Sequence, residues 1–107
     1  MNIKIFLSHN MTGLDEEDIQ NIRENAEVDV YKILLNGNYP EFDSIEFIDN
    51  YNHDDAPENA SRLWHLGRSI QQLAEADYVY FCDPTANSSG CYVEKFICAI
   101  YNIPILK

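Results

Sequence analysis

The amino-acid sequence predicts an α/β fold with a parallel sheet, and three observations carry that expectation. Short runs rich in Ile, Val, Phe and Tyr alternate with longer stretches whose apolar residues recur at helical spacing. The first run, Asn2 to Leu7, places Ile3, Ile5, Phe6 and Leu7 too densely for a strand with one wet face, which suits a strand covered on both sides. Strand, helix and strand follow one another in turn, an order that gives right-handed parallel crossovers.

Asn2 to Leu7 is strand one. After the turn-like segment Ser8 to Gly13, Ile19, Ile22, Ala26, Val30, Ile33 and Leu34 mark helix one. Asp15, Glu16, Glu17 and Asp18 lie at its N-terminal end, where the helix dipole favours acids, and Asn36-Gly37 ends it. Ser44 to Ile48 reads as a short second strand, followed by an acidic loop from Asp49 to Glu58. Leu63, Leu66, Ile70, Leu73 and Ala74 mark helix two, and Tyr78 to Cys82 is strand three. A breaker-rich loop from Asp83 to Gly90 leads into helix three, which Val93, Phe96, Ile97 and Ile100 place from about Ser89 to Asn102. Ile103 to Leu106 is a last short strand. The expected architecture is three-layered and Rossmann- or flavodoxin-like, with four or five parallel strands in the order 2-1-3-4.

The chain of 107 residues fits a single domain, residues 1–107, and its 46% hydrophobic and 12% aromatic content is that of a folded core rather than a disordered segment. Eighteen acidic against seven basic side chains give a net charge of -11, which repels nucleic-acid backbones and anionic membrane surfaces. A nucleotide-sized anion remains an acceptable ligand, because backbone N–H groups at a helix N-terminus make a local positive site. Cys82, Cys91 and Cys98 form no CxxC pair, so neither a disulfide framework nor a zinc knuckle is expected. With no signal-peptide pattern at Met1 to Leu7 and no apolar run of the ~18 residues a membrane span needs, a cytoplasmic, unprocessed protein is expected.

Ligands of open parallel sheets sit beyond the strands' carboxyl ends, where the strand order reverses. That rule singles out the loops Ser8 to Gly13 and Asp83 to Gly90. Ser88, Ser89 and Gly90 lead into the first turn of helix three, whose unpaired N–H groups can hold an anion. Glu94 lies about one turn further on and can turn back over the same pocket, where an ionised carboxylate can act as a nucleophile. By spacing alone these are also an N-cap and a helix acid; the switch-point location is what distinguishes them. Ser8, His9, Asn10 and Gly13 form the opposite wall. His9, Asp83 and Asp49 are candidates for proton transfer, with His9 equally suited to orient a ligand or cap a turn. Arg68 reads as a surface arginine before a phosphate partner, Trp64 and His65 as packing groups before base-stacking ones, and Cys91 as a small packed thiol.

Ile5-Phe6-Leu7-Ser8-His9-Asn10-Met11-Thr12-Gly13-Leu14 resembles the strand-one loop of the nucleoside 2-deoxyribosyltransferase-like superfamily, in whose small phage and bacterial members this loop often ends in Met-Thr-Gly. The resemblance continues through Trp64-His65-Leu66-Gly67, Ala74-Glu75-Ala76-Asp77-Tyr78-Val79-Tyr80-Phe81, Gly90-Cys91-Tyr92-Val93-Glu94 and Tyr101-Asn102-Ile103-Pro104-Ile105, nearly the whole chain. It implies that Glu94 of the Gly-x-x-x-Glu element attacks the anomeric carbon of a deoxyribosyl group, as in a retaining glycosidase. Two departures stand out. Ser69 occupies the place of an aspartate usual early in helix two, and Ser88 replaces the transferases' aspartate six residues before the nucleophile. Ser88 makes the chain similar to the 2'-deoxynucleoside 5'-phosphate N-hydrolases, where the serine helps hold the 5'-phosphate.

Two functional expectations follow from the resemblance. One is an N-glycosidic hydrolase or deoxyribosyltransferase acting on a nucleoside or nucleotide, with Glu94 as nucleophile, Ser8, His9, Asn10, Gly13, Ser69, Asp83, Ser88, Ser89 and Gly90 around the substrate, and no metal or organic cofactor. The other is a non-catalytic binder that sequesters a nucleotide signal, NAD-derived or cyclic, such as a phage anti-defence protein. The resemblance also implies a homodimer or larger homo-oligomer.

Overall fold

In the computed structural model, β1 (Asn2–Ser8) is the central strand of a three-stranded parallel sheet with order β2-β1-β3. The structure describes residues 2–9, 14–37, 39–49, 55–82 and 89–106. On one side β1 pairs with β2 (Ser44–Phe47), Ile5 opposite Phe47; on the other it pairs with β3 (Tyr78–Phe81), Ile5 opposite Tyr78. Asp77 fixes the second register: its carboxylate accepts from the Lys4 N–H at 2.8 Å and its own N–H donates to the Lys4 carbonyl at 2.8 Å.

The dense apolar run of β1 is explained by a helical layer on each face. Ile3, Ile5 and Leu7 pack against Ala26, Val30 and Leu34 of α1 (Glu16–Asn36), while Phe6 packs with Leu73 of α2 (Arg62–Leu73) and Cys98 of α3 (Ser89–Tyr101). Ile3, Ile5, Phe6 and Leu7 are wholly buried, and each such side chain stabilises the fold by about 1.5–3 kcal/mol relative to exposure.

Local chemistry sets the helix ends. Asp15 caps α1 by accepting from the Asp18 N–H at 2.8 Å, with Glu16, Glu17 and Asp18 in the first turn, and Ser61 caps α2 through the Trp64 N–H at 3.1 Å. At the other end of α1 the Tyr39 ring lies against Gly37. A Cβ there would meet Tyr39 Cε2 at 2.5 Å and the Ile33 carbonyl at 2.7 Å, so only glycine lets Tyr39 reach its edge-to-face contact with Tyr78, at 5.5 Å between centroids. Helix α3 closes on Asn102 in the left-handed region (φ 56), and the Ile103 N–H returns to the Cys98 carbonyl at 3.0 Å, a Schellman turn.

The C-terminal segment and the two outer helices depart in part from the sequence-based reading. Ile103 to Leu106 is not a strand: Ile105 makes one parallel bridge to Val79, through Val79 N–H to the Pro104 carbonyl (2.9 Å) and Leu106 N–H to the Val79 carbonyl (2.8 Å). Continuing that ladder towards Asp77 requires an N–H from Pro104, which has none. The sheet of the described residues has three strands, with that single parallel bridge beside β3. Helices α2 and α3 bury only part of the apolar residues that marked them: Leu73 is in the core and Ile97 packs against it, while Leu63, Phe96 and Ile100 are exposed and Ser69, Gln72, Cys91, Glu94 and Cys98 share the buried faces.

Candidate functional site

The pleat of β1 decides which groups meet at its carboxyl end. Successive side chains alternate between faces, so Ser8 continues the Phe6 side towards α2 and α3, and His9 continues the Leu7 side towards α1. The contacts follow that rule. The Ser8 hydroxyl donates to Glu94 Oε2 of α3 and lies 3.5 Å from the Cys91 sulfur one turn earlier. His9 Nε2 lies 3.2 Å from Nη1 of Arg23 on α1. The backbone pairing also reaches this level, since the Cys82 N–H donates to the Ser8 carbonyl at 2.9 Å beyond β3.

Glu94 is 7% exposed. Burial pushes its carboxyl up from an ordinary 4.5 to about 7, with the Ser8 hydrogen bond pulling the other way. Near neutrality the group is therefore divided between a carboxylate that can attack and an acid that can donate. Glu94 Oε1 makes no hydrogen bond among the described residues. The two neighbouring thiols are poor nucleophiles: burial drives Cys82 up to about 12 despite the opposing Arg23 charge, and burial plus the Glu94 charge raise Cys98.

On the α1 side Arg23 is 8% exposed and makes a second bond, from Nη2 to the Ile48 carbonyl at 2.9 Å. A guanidinium only donates, so His9 Nε2 must accept and the imidazole proton sits on Nδ1. In that tautomer Nε2 has no proton to deliver and the ring's one N–H is on Nδ1. Beyond β3, Lys95 Nζ stands 5.3 Å from the centre of the Phe81 ring, so two cations border this end of an acidic molecule.

Helix α2 supplies the remaining buried polar groups, Ser69 and Gln72, on one face three residues apart. Gln72 Nε2 donates to the Asp49 carbonyl at 2.8 Å. Arg68 points elsewhere: its Nε is 3.2 Å from Asp55 Oδ2, too poorly aligned for a hydrogen bond, and Nη1 donates to Gln71 at 3.3 Å, which is the surface role expected of it. Asp49 is exposed through its side chain and contributes its backbone. Trp64 and His65 stack edge to face at 5.2 Å.

Of the residues singled out in the sequence, Ser8, Glu94 and Cys91 are brought together, His9 is turned to the opposite face of the sheet, and Ser69 is buried on α2. Asn10, Gly13, Asp83 and Ser88 lie outside the described residues; Ser89 and Gly90 open α3, and their side chains also lie outside that description. Arg23 and Gln72 were missed. The signal for Arg23 was its position four residues after Ile19 and three before Ala26, within the apolar stripe of α1, and Gln72 adjoins Leu73 in the same way. Among the described residues no group of three or more His, Cys, Asp or Glu is placed to hold a metal ion, and no helix is long and apolar enough to cross a membrane. Neither a family model nor a curated protein matches the chain.

Proposed function

We propose that the protein binds a nucleoside or nucleotide at the carboxyl end of β1 and cleaves or transfers its N-glycosidic bond with Glu94 as nucleophile. The observation that carries this reading is the buried Glu94 carboxyl, held by Ser8 where the resemblance to deoxyribosyltransferase-like proteins expects the attacking group. In the ionised form, Glu94 attacks the anomeric carbon: the bond from carbon to glutamate oxygen forms as the bond from carbon to base nitrogen breaks. The departing base takes up a proton from solvent, and water then hydrolyses the glycosyl ester, or a second base accepts the sugar. Ser8 holds Oε2, fixing which oxygen is presented. Arg23 and Lys95 offset the ligand's negative charge within a chain of net charge -11. The Ile105 bridge beside Val79 stands where a fourth strand in the order 2-1-3-4 would lie, which supports the Rossmann-like reading of the sheet.

Incubation with a panel of nucleosides, nucleotides and NAD-derived nucleotides, with free base assayed, tests the proposal. The wild type should release base, more rapidly as pH rises through about 7 where Glu94 ionises, and Glu94→Gln should not. Equal release by both proteins would remove Glu94 from the chemistry.

A second reading, a binder without turnover, is favoured by two observations. Ser69 is buried where a second carboxylate is expected, and His9 Nε2 accepts from Arg23 instead of carrying a proton. Its signature is tight retention of an intact ligand with no base released. In either reading, the exposed apolar residues of α3, Tyr92, Phe96 and Ile100, support pairing with another copy.

A further inference from the structure

Glu94 and Lys95 are neighbours on α3, and the sheet beneath them shows where each points. Ser8 pairs with Phe81 in the parallel ladder of β1 and β3, two residues beyond the pair of Phe6 and Val79. Partners in register turn their side chains to the same face. Phe6, Val79 and Phe81 share the cluster that includes Cys98 of α3, so Ser8 and Phe81 end their strands side by side on the α3 face. The Ser8 hydroxyl holds Glu94 Oε2, and Lys95 Nζ stands 5.3 Å from the centre of the Phe81 ring. Helix α3 therefore sets a carboxyl over the end of β1 and an ammonium over the end of β3. Between these two strand ends lies the switch point, because the chain leaves β1 for the helix on one face and β3 for a helix on the other.

The ammonium has a fixed place but no duty to Glu94. Phe81 is 8% exposed and Lys95 is half-buried, so the ring offers a settled seat for the cation. Burial and the Ser8 hydroxyl account for the titration of Glu94, without a part for Lys95. The other described cations stand elsewhere. Arg23 is engaged on the α1 face by His9 and the Ile48 carbonyl, Arg68 lies beside Asp55, Lys4 is near the start of β1, and Lys32 and Arg62 are exposed on α1 and α2. In a chain of net charge -11, an anionic group of a ligand gains most from a cation already in place. The two head groups of α3 are about 5–10 Å apart, one to two strand spacings. A sugar ring and its ester oxygen cover the same interval between an anomeric carbon and a phosphorus.

We propose that Lys95 sets the charge of the ligand: its ammonium takes a phosphate on the sugar whose anomeric carbon lies against Glu94, so that the site holds nucleoside monophosphates in preference to nucleosides. This rests on the reading of the crevice as a nucleoside or nucleotide site. A lysine suits the task because its compact charge and three donors meet a phosphate from several directions.

The test uses the full chain with deoxyadenosine, deoxycytidine and the 5'- and 3'-monophosphates of each, with dissociation constants measured by calorimetry. At least one monophosphate should bind the wild type about 10- to 100-fold tighter than its nucleoside, by a margin that narrows as salt is raised. Whichever ester is preferred identifies the phosphate that Lys95 meets. In Lys95→Met, folded by circular dichroism, the margin should fall to about threefold or less while the nucleoside binds as before; Lys95→Gln provides a second neutral variant. Equal binding of nucleoside and monophosphates by the wild type, or a margin unchanged in the neutral variants, would overturn the assignment while leaving the nucleoside site standing. So would a parallel loss of both ligands, which marks a structural role for Lys95. Failure of every ligand to bind the wild type would overturn the site and this assignment together.

Discussion

The two ends of β1 differ in kind. From Ile5 to Leu7 the strand is buried in hydrocarbon on both faces, with the α1 stripe on one side and Leu73 and Cys98 on the other. Over the next two residues the same strand, equally buried, meets a carboxyl on one face and a guanidinium on the other. The lower part is an arrangement that stabilises; the upper part holds ionisable groups out of water at a cost, and such costs are tolerated where a site needs them. Because the pleat sends Ser8 and His9 to opposite faces, the acid and the cation are also kept apart by the sheet.

On the proposed reading, the largest contrast between the two ends is expected in function. Glu94→Gln should lower base release about 10³-fold or more while leaving the fold intact, since glutamine can still accept from Ser8. At the hydrocarbon end, Ile5→Ala should lower unfolding free energy by about 3–4 kcal/mol in urea titration, with the site chemistry of the folded fraction unchanged. A loss below 1 kcal/mol would mean that the lower half is not the stabilising one.

Next comes pH. The folded Glu94 carboxyl titrates near 7 against an ordinary 4.5, so the fold binds its proton more tightly than the unfolded chain. That stabilisation is complete below about 4.5 and is lost as pH rises through about 7. The stability difference between wild type and Glu94→Gln should therefore move against the wild type by about 3 kcal/mol across this interval; a constant difference would show that Glu94 is not desolvated. Arg23→Met should cost about 2 kcal/mol, because it leaves the Ile48 carbonyl and His9 Nε2 without their donor. The smallest effect belongs at the end of α3: Asn102→Gly should raise stability by about 0.5 kcal/mol by relieving the left-handed backbone, measured as a small rise in Tm.

The positions of all six elements were legible because β-branched and aromatic runs and helical spacing are local signals. Glu94 was legible too, as a charge shortly after a Ser-Ser-Gly helix start at a strand's carboxyl end. What could not be read was which side of an apolar-rich helix faces inward. Helix α3 carries apolar groups nearly all round, and only tertiary packing turned Cys91, Glu94 and Cys98 to the sheet and Phe96 and Ile100 away from it. Arg23 and Gln72 escaped notice because their partners are backbone carbonyls 25 and 23 residues away, and a carbonyl leaves no mark in the sequence. The supposed last strand failed on one atom, the absent N–H of Pro104.

The outward face of α3 has a colloidal consequence. Tyr92, Phe96 and Ile100 favour pairing of copies, while the net charge of -11 on each copy raises a barrier against it. That barrier is thin. Its range is about 10 Å at 0.1 M salt and about 3 Å at 1 M, so added salt or mild acid should bring the molecules together without altering any fold.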